Sequence, residues 1–151
     1  MRILAGLIIG ILVLIAGIIW STIYVMDTNE MYPVIHKGDW MLIDRRAYSE
    51  SKPKVGEVVL IQNYRLQNLA AKRVLALPGD RIAVKDGFLM LNGRMLNEDY
   101  IYTSMNIDFD ELIVPEGKVF LLNDNRNLTS DSRTLGPIDM SSIVGRIILI
   151  Y

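Results

Sequence analysis

The sequence predicts a mainly β domain behind one N-terminal transmembrane helix, and three observations carry that assignment. Residues 3–25, ILAGLIIGILVLIAGIIWSTIYV, hold no charge, and about 23 residues at 1.5 Å each can span a hydrocarbon core of about 30 Å. The remainder breaks into short segments rich in β-branched and large apolar residues, each bounded by turn residues. Within LMLNGRML the pair Asn92-Gly93 is a strong hairpin signal, because both residues tolerate the positive φ of a type I′ turn.

Arg2 ahead of an apolar run is also how a cleavable leader begins. Such leaders have an apolar region of about 7–15 residues ending at a small-residue site, whereas this run continues to Trp20 and Tyr24, an interfacial aromatic pair. The reading is an uncleaved anchor over 1–26 and a β domain over 27–151. Arg2 precedes the span while Asp27 and Glu30 follow it, which puts the N-terminus in the cytoplasm and the domain outside. Strands are predicted within 40–46, 56–64, 71–77, 80–87, 87–96, 116–124 and 142–151, with the hairpin over 86–96. The stretch 97–115 is mixed. Its acidic DFDE (108–111) lacks the glycine and spacing of a calcium loop and reads as solvated surface.

Composition narrows the function. Behind the anchor stand 15 basic and 17 acidic residues, a formal charge of −2, which gives no basic face for nucleic acid. One histidine and no cysteine argue against a transition-metal site and against disulfides, and no cofactor is implied.

Three boxes are too particular for an ordinary β domain: EMYPVIHKGDW (30–40), AKRVLALPGD (71–80) and NDNRNLTSDSRTLGPI (123–138). In the second, apolar neighbours on both sides of Lys72 would hold its amine in a poorly solvated site, where the neutral form is favoured and can act as a general base; the plainer reading is a strand lysine whose amine reaches water. The third reads plainly as an Asx-rich turn in which Asp131 and Arg133 form an ion pair that fixes the loop.

Together the boxes resemble those of the type I signal peptidases, membrane-anchored serine proteases that use a Ser/Lys dyad to cut signal peptides from exported proteins. That family's boxes read Ser-Met-x-Pro-Thr-Leu followed by Gly-Asp, then Lys-Arg with Gly-Leu-Pro-Gly-Asp, then Gly-Asp-Asn-Arg-x-x-Ser-x-Asp-Ser-Arg. Met31, Pro33, Gly38 and Asp39 match the first; Lys72, Arg73, Leu77, Pro78, Gly79 and Asp80 the second; Asp124, Asn125, Arg126, Asp131, Ser132 and Arg133 the third. The resemblance implies a signal-peptidase-like antiparallel β domain, Lys72 as the base, Thr129 as the hydroxyl that orients it, and a cleft flanked by Thr28, Met31, Pro33, Ala70 and Ala71 that binds extended peptide by strand addition.

One departure is central. The nucleophile's position is held by Glu30, and a carboxylate attacking a peptide would form an unstable anhydride. An anion beside Lys72 would also raise the pKa of the amine. Thr28, two residues earlier, would be displaced by about 6.5 Å along a strand and is a poor substitute. The resemblance then implies a catalytically impaired signal-peptidase homologue, with Glu30 and Lys72 at its centre, that binds or positions exported or surface protein precursors such as pilins. Two alternatives stay open. One is an active signal peptidase whose serine has been altered or which uses a different nucleophile; the other is a membrane-anchored scaffold that binds through its acidic surface.

Overall fold

The computed structural model describes residues 21–63, 68–105 and 107–151, together with Gly6 and Gly10. The predicted anchor therefore lies outside the described residues up to position 20, save those two glycines. No described helix is long and apolar enough to cross a membrane.

The last residues of the apolar run are strand: β1 (Ser21–Val25) pairs antiparallel with β2 (Trp40–Asp44), Ser21 opposite Asp44 and Val25 opposite Trp40. This shortens the predicted anchor, because alternation from Thr22 to Met26 suits a half-buried strand better than a helix end. Tyr24 and Met26 pack into the core while Ile23 and Val25 face out.

The strands that follow are β3 (Val58–Asn63), β4 (Asn68–Ala76), β5 (Arg81–Lys85), β6 (Phe88–Leu91), β7 (Arg94–Met95), β8 (Phe109–Ile113), β9 (Lys118–Leu122), β10 (Ile138–Asp139) and β11 (Ile143–Ile150). The larger sheet runs β1-β2-β11-β3-β4-β9-β10 and the smaller β7-β6-β5-β8, with antiparallel pairing throughout. All seven predicted strand segments hold a strand. β1, β8 and β10 were not predicted, and neither was the one-turn helix α1 (Ser132–Leu135).

Burial explains the order. In β3, Leu60 packs with Met31, Met41 and Ala71 on one face of the sheet, while Val59 and Ile61 pack with Val74, Val119 and Leu121 on the other. A strand buried on both faces must be central and reads as a continuous apolar run. A third cluster, around Leu75, Ile82, Leu89 and Phe120, joins the smaller sheet to the larger.

The two Gly-Asp pairs make the corners. Gly38 sits at φ 99°, and Asp39 accepts the His36 N–H at 2.7 Å, closing the turn into β2. Gly79 sits at φ 86°, Asp80 accepts the Leu77 N–H at 2.8 Å, and Asn92 donates to Asp80 at 2.8 Å, tying the Asn92-Gly93 hairpin to the link between sheets. Asn92 and Gly93 take φ values of 52° and 76°, as a type I′ turn requires. In the DFDE stretch, Asp108 accepts the Asp86 and Gly87 N–H groups and Glu111 pairs with Arg81, so these carboxylates serve turns and a surface ion pair.

Candidate active site

Lys72 lies in the middle of β4, paired opposite Val59, and only 1% of its side chain is exposed. Glu30 follows β1 in the turn that leads to β2, and the third box holds that turn: the Asn125 N–H donates to the Glu30 carbonyl at 2.9 Å, and Asn125 Nδ2 donates to the Asn29 carbonyl at 3.1 Å. Lys72 Nζ then stands 2.9 Å from Glu30 Oε2. The amine approaches off the hydrogen-bond direction, so the contact is an ion pair and Nζ has no aligned acceptor among the described residues. The amine is buried, and Glu30 is 15% exposed.

The second carboxylate oxygen, Oε1, accepts an unusually short hydrogen bond from Ser130 Oγ. Thr28 Oγ1 lies 3.4 Å from both Glu30 Oε2 and the Glu30 N–H, two long contacts. Thr129, the hydroxyl expected beside Lys72, is exposed, and the hydroxyl that bonds Glu30 is that of its neighbour Ser130. Nothing local to Thr129-Ser130 says which of the two makes that bond.

Burial is the largest influence on Lys72 and lowers its pKa below the ordinary lysine value; Glu30 opposes it without overcoming it. Both expected influences are present, and burial prevails, because an amine in the middle of a buried strand loses more hydration than one carboxylate returns.

The remaining box residues form the frame. Asp131 caps α1 by accepting the Arg133 N–H at 3.1 Å, meets the Arg133 guanidinium at 2.9 and 2.6 Å, and accepts the Asn123 N–H at 3.1 Å. The expected Asp131–Arg133 pair is therefore present and fixes the loop that carries Ser130. Arg73 grips Asp124 with two bonds of 2.8 and 2.6 Å and lies 4.0 Å over the Tyr100 ring centroid. Arg126 pairs with Glu98, locking the third box to the 97–105 segment. These are fork-shaped contacts that a lysine could not reproduce.

Of the residues expected to flank a cleft, Met31 and Ala71 are fully buried in one core cluster and Ala70 belongs to another. Their side chains pack the domain in this structure. Pro33 is half-buried after a cis Tyr32-Pro33 bond. The backbone of this region is more suggestive: β4 pairs with β9 only from Arg73 to Ala76, whereas Asn68–Lys72 pair with β3 alone. Beside the Glu30–Lys72 pair, β4 has no second strand neighbour among the described residues; Ala70, Ala71 and Lys72 are buried there, and the Leu69 carbonyl accepts the Tyr24 hydroxyl at 3.2 Å.

Two antiparallel sheets built around a buried strand lysine, with a polar turn laid across its amine, are the fold of the signal peptidases. The chain belongs to that family: the family described as "Signal peptidase, peptidase S26" matches residues 2–151. It is 33% identical over 137 residues to thylakoidal processing peptidase 1, chloroplastic, of Arabidopsis thaliana, covering 83% of this chain and 40% of that one. It is 31% identical over 133 residues to signal peptidase I of Bacillus licheniformis, covering 81% and 72%. A probable signal peptidase I-1 of Synechocystis sp. is 30% identical over 128 residues, covering 80% and 65%. Among solved structures, a signal peptidase I from Enterococcus faecalis V583 aligns with a TM-score of 0.58 at 32% identity, covering 65% of this chain and 98% of that one. The chain thus spans well under half the length of the Arabidopsis relative and about two thirds of the Synechocystis one.

Proposed function

We propose that this chain is a membrane-anchored signal-peptidase homologue with its β domain outside the cytoplasm, impaired in Ser/Lys hydrolysis, that binds and positions exported protein precursors, pilins or other surface proteins among them. The observation that carries the reading is Glu30, whose carboxylate lies 2.9 Å from Lys72 Nζ at the position where the family's first box has serine. A carboxylate there supplies no proton for Lys72 to remove, and an anhydride is a poor route to a cut peptide. The Asn68–Lys72 stretch of β4, which has β3 as its only strand neighbour among the described residues, supports retained binding, since an extended segment that displaces the groups covering it can add through main-chain hydrogen bonds. Residues 3–20, still free of charge, are long enough at about 27 Å for a short span that ends where β1 begins.

Ser130 favours a second reading, an active peptidase with a different nucleophile. Its hydroxyl donates to Glu30, which could take the proton as Ser130 Oγ attacks a carbonyl.

Cleavage of a signal-peptide precursor by the full chain in detergent separates the readings. The first expects no cleavage by wild type and cleavage by Glu30→Ser that Lys72→Ala abolishes. Wild-type cleavage lost in Ser130→Ala would establish the second reading. Wild-type cleavage indifferent to Ser130→Ala and Lys72→Ala would sink both.

A further inference from the structure

The loop between β2 and β3 reads RRAYSESKPK over 45–54, four basic residues against one acidic in a chain of net charge −1. Its shape is set internally. Asp44 accepts the Arg46 N–H at 3.0 Å, Ser49 Oγ donates to the Arg46 carbonyl at 2.9 Å, and Ser51 Oγ donates to the Ala47 carbonyl. Tyr48 donates to Glu57 at 2.8 Å and packs against the core, and Pro53 is buried. The loop is pinned at two points, and between them it borders an open cavity of about 600 Å³ lined by Arg45, Arg46 and Lys52 together with the apolar side chains of Met140, Ile143 and Val144.

Of the neighbouring carboxylates, Asp44 and Glu57 are engaged by Arg146, at 3.8 and 3.1 Å, while the loop's own Glu50 is exposed. Neither Arg45 nor Lys52 has an ion-pair partner among the described residues. The register adds position. Ser21, where β1 begins, stands opposite Asp44, so Arg45 is one residue beyond the register position at which the chain enters the sheet from the proposed span. Taken with the proposed anchor, on which this inference rests, the cavity opens at headgroup height.

We infer that this cavity is a binding site for the phosphodiester headgroup of an anionic phospholipid, with Arg45 and Lys52 contacting the phosphate and Arg46 closing the rim. A phosphate bridged by separate cations needs no negative partner from the protein, and each lysine or arginine near an anionic surface strengthens association about fivefold. The site would fix the rotation of the domain about its anchor and so hold β4 at one height above the bilayer.

The test uses the full chain in nanodiscs of phosphatidylcholine with increasing fractions of phosphatidylglycerol, read by hydrogen exchange of the amides of residues 45–52. Phosphatidylglycerol is expected to slow exchange there and salt to reverse it. Arg45→Glu with Lys52→Glu should move the half-protecting fraction beyond reach, a weakening of at least about 25-fold for two cations, while Lys118→Glu, on β9, should leave it unchanged. Three results overturn the inference: no dependence on phosphatidylglycerol; equal protection by inorganic phosphate in pure phosphatidylcholine discs, which would assign a soluble anion; or an equal loss in Lys118→Glu, which would make the effect diffuse charge. Failure of the anchor reading is distinct, because the chain would then stay out of the discs and wash from membranes in alkaline carbonate.

Discussion

Replacing Glu30 by alanine removes the counter-ion from an ammonium whose side chain is 1% exposed, and the cost can be bounded from both sides. If Lys72 stays charged, an unpaired buried ion costs about 3–5 kcal/mol. If it gives up its proton instead, the cost at a given pH is about 1.36 kcal/mol for each unit below the free-lysine pKa near 10.4, or about 4.6 kcal/mol at pH 7 and about 1.9 kcal/mol at pH 9. The variant takes the cheaper route. Glu30→Ala should therefore lose about 3 kcal/mol at pH 7 and less than about 2 kcal/mol at pH 9. The sign follows from linkage: the folded pKa of Lys72 is already depressed and falls further without Glu30, so the unfolded chain binds more protons and stability rises with pH up to the unfolded value. Urea denaturation of the full chain in micelles, followed by circular dichroism at both pH values, measures the two losses. A loss below about 0.5 kcal/mol at pH 7, the range of an ordinary surface change, would show that Glu30 does not compensate Lys72. An equal loss at both pH values would show that the lysine proton is not involved.

Three further outcomes follow from the same geometry. Ser130→Ala breaks a hydrogen bond to a carboxylate and should cost about 1.5–3 kcal/mol, whereas Thr129→Ala should stay within about 0.5 kcal/mol in the same melts. Gly145→Ala should cost at least about 1–3 kcal/mol, because a Cβ there would lie 2.5 Å from the Asp44 carbonyl oxygen and 2.8 Å from Ile43 Cγ2, so β11 must shift; a variant melting like wild type would mean this contact relaxes freely. Burial pushes the Glu57 carboxyl up, but bonds from the Lys54 N–H, Tyr48 and Arg146 outweigh it and hold the group below its usual value. Its contribution is therefore present above the unfolded pKa near 4.5 and is lost as pH falls through the lower folded value, a loss that acid titration of stability should show shrinking in Tyr48→Phe.

The central strands, the Asn92-Gly93 hairpin and the Gly-Asp corners were legible in the sequence because they depend on local chemistry: positive φ, alternating or continuous apolar runs, and carboxylates that cap their own turns. Asp131 and Arg133 were legible for the same reason, lying two residues apart in one loop. β1 was hidden because an apolar run reads alike as helix or strand until a partner is found, and that partner, β2, lies across a turn. β8 was hidden because one face of it is solvated, so DFDE looked like loop. The site was half legible. Lys72, its desolvation and Glu30 could be named from their boxes, but the separation of the pair, the bond from Ser130 to Glu30 and the prevalence of burial over Glu30 at Lys72 depend on where segments some 40 to 100 residues apart come to rest. Side-chain direction, and the extent to which desolvation outweighs a neighbouring charge, are properties of the packed interior.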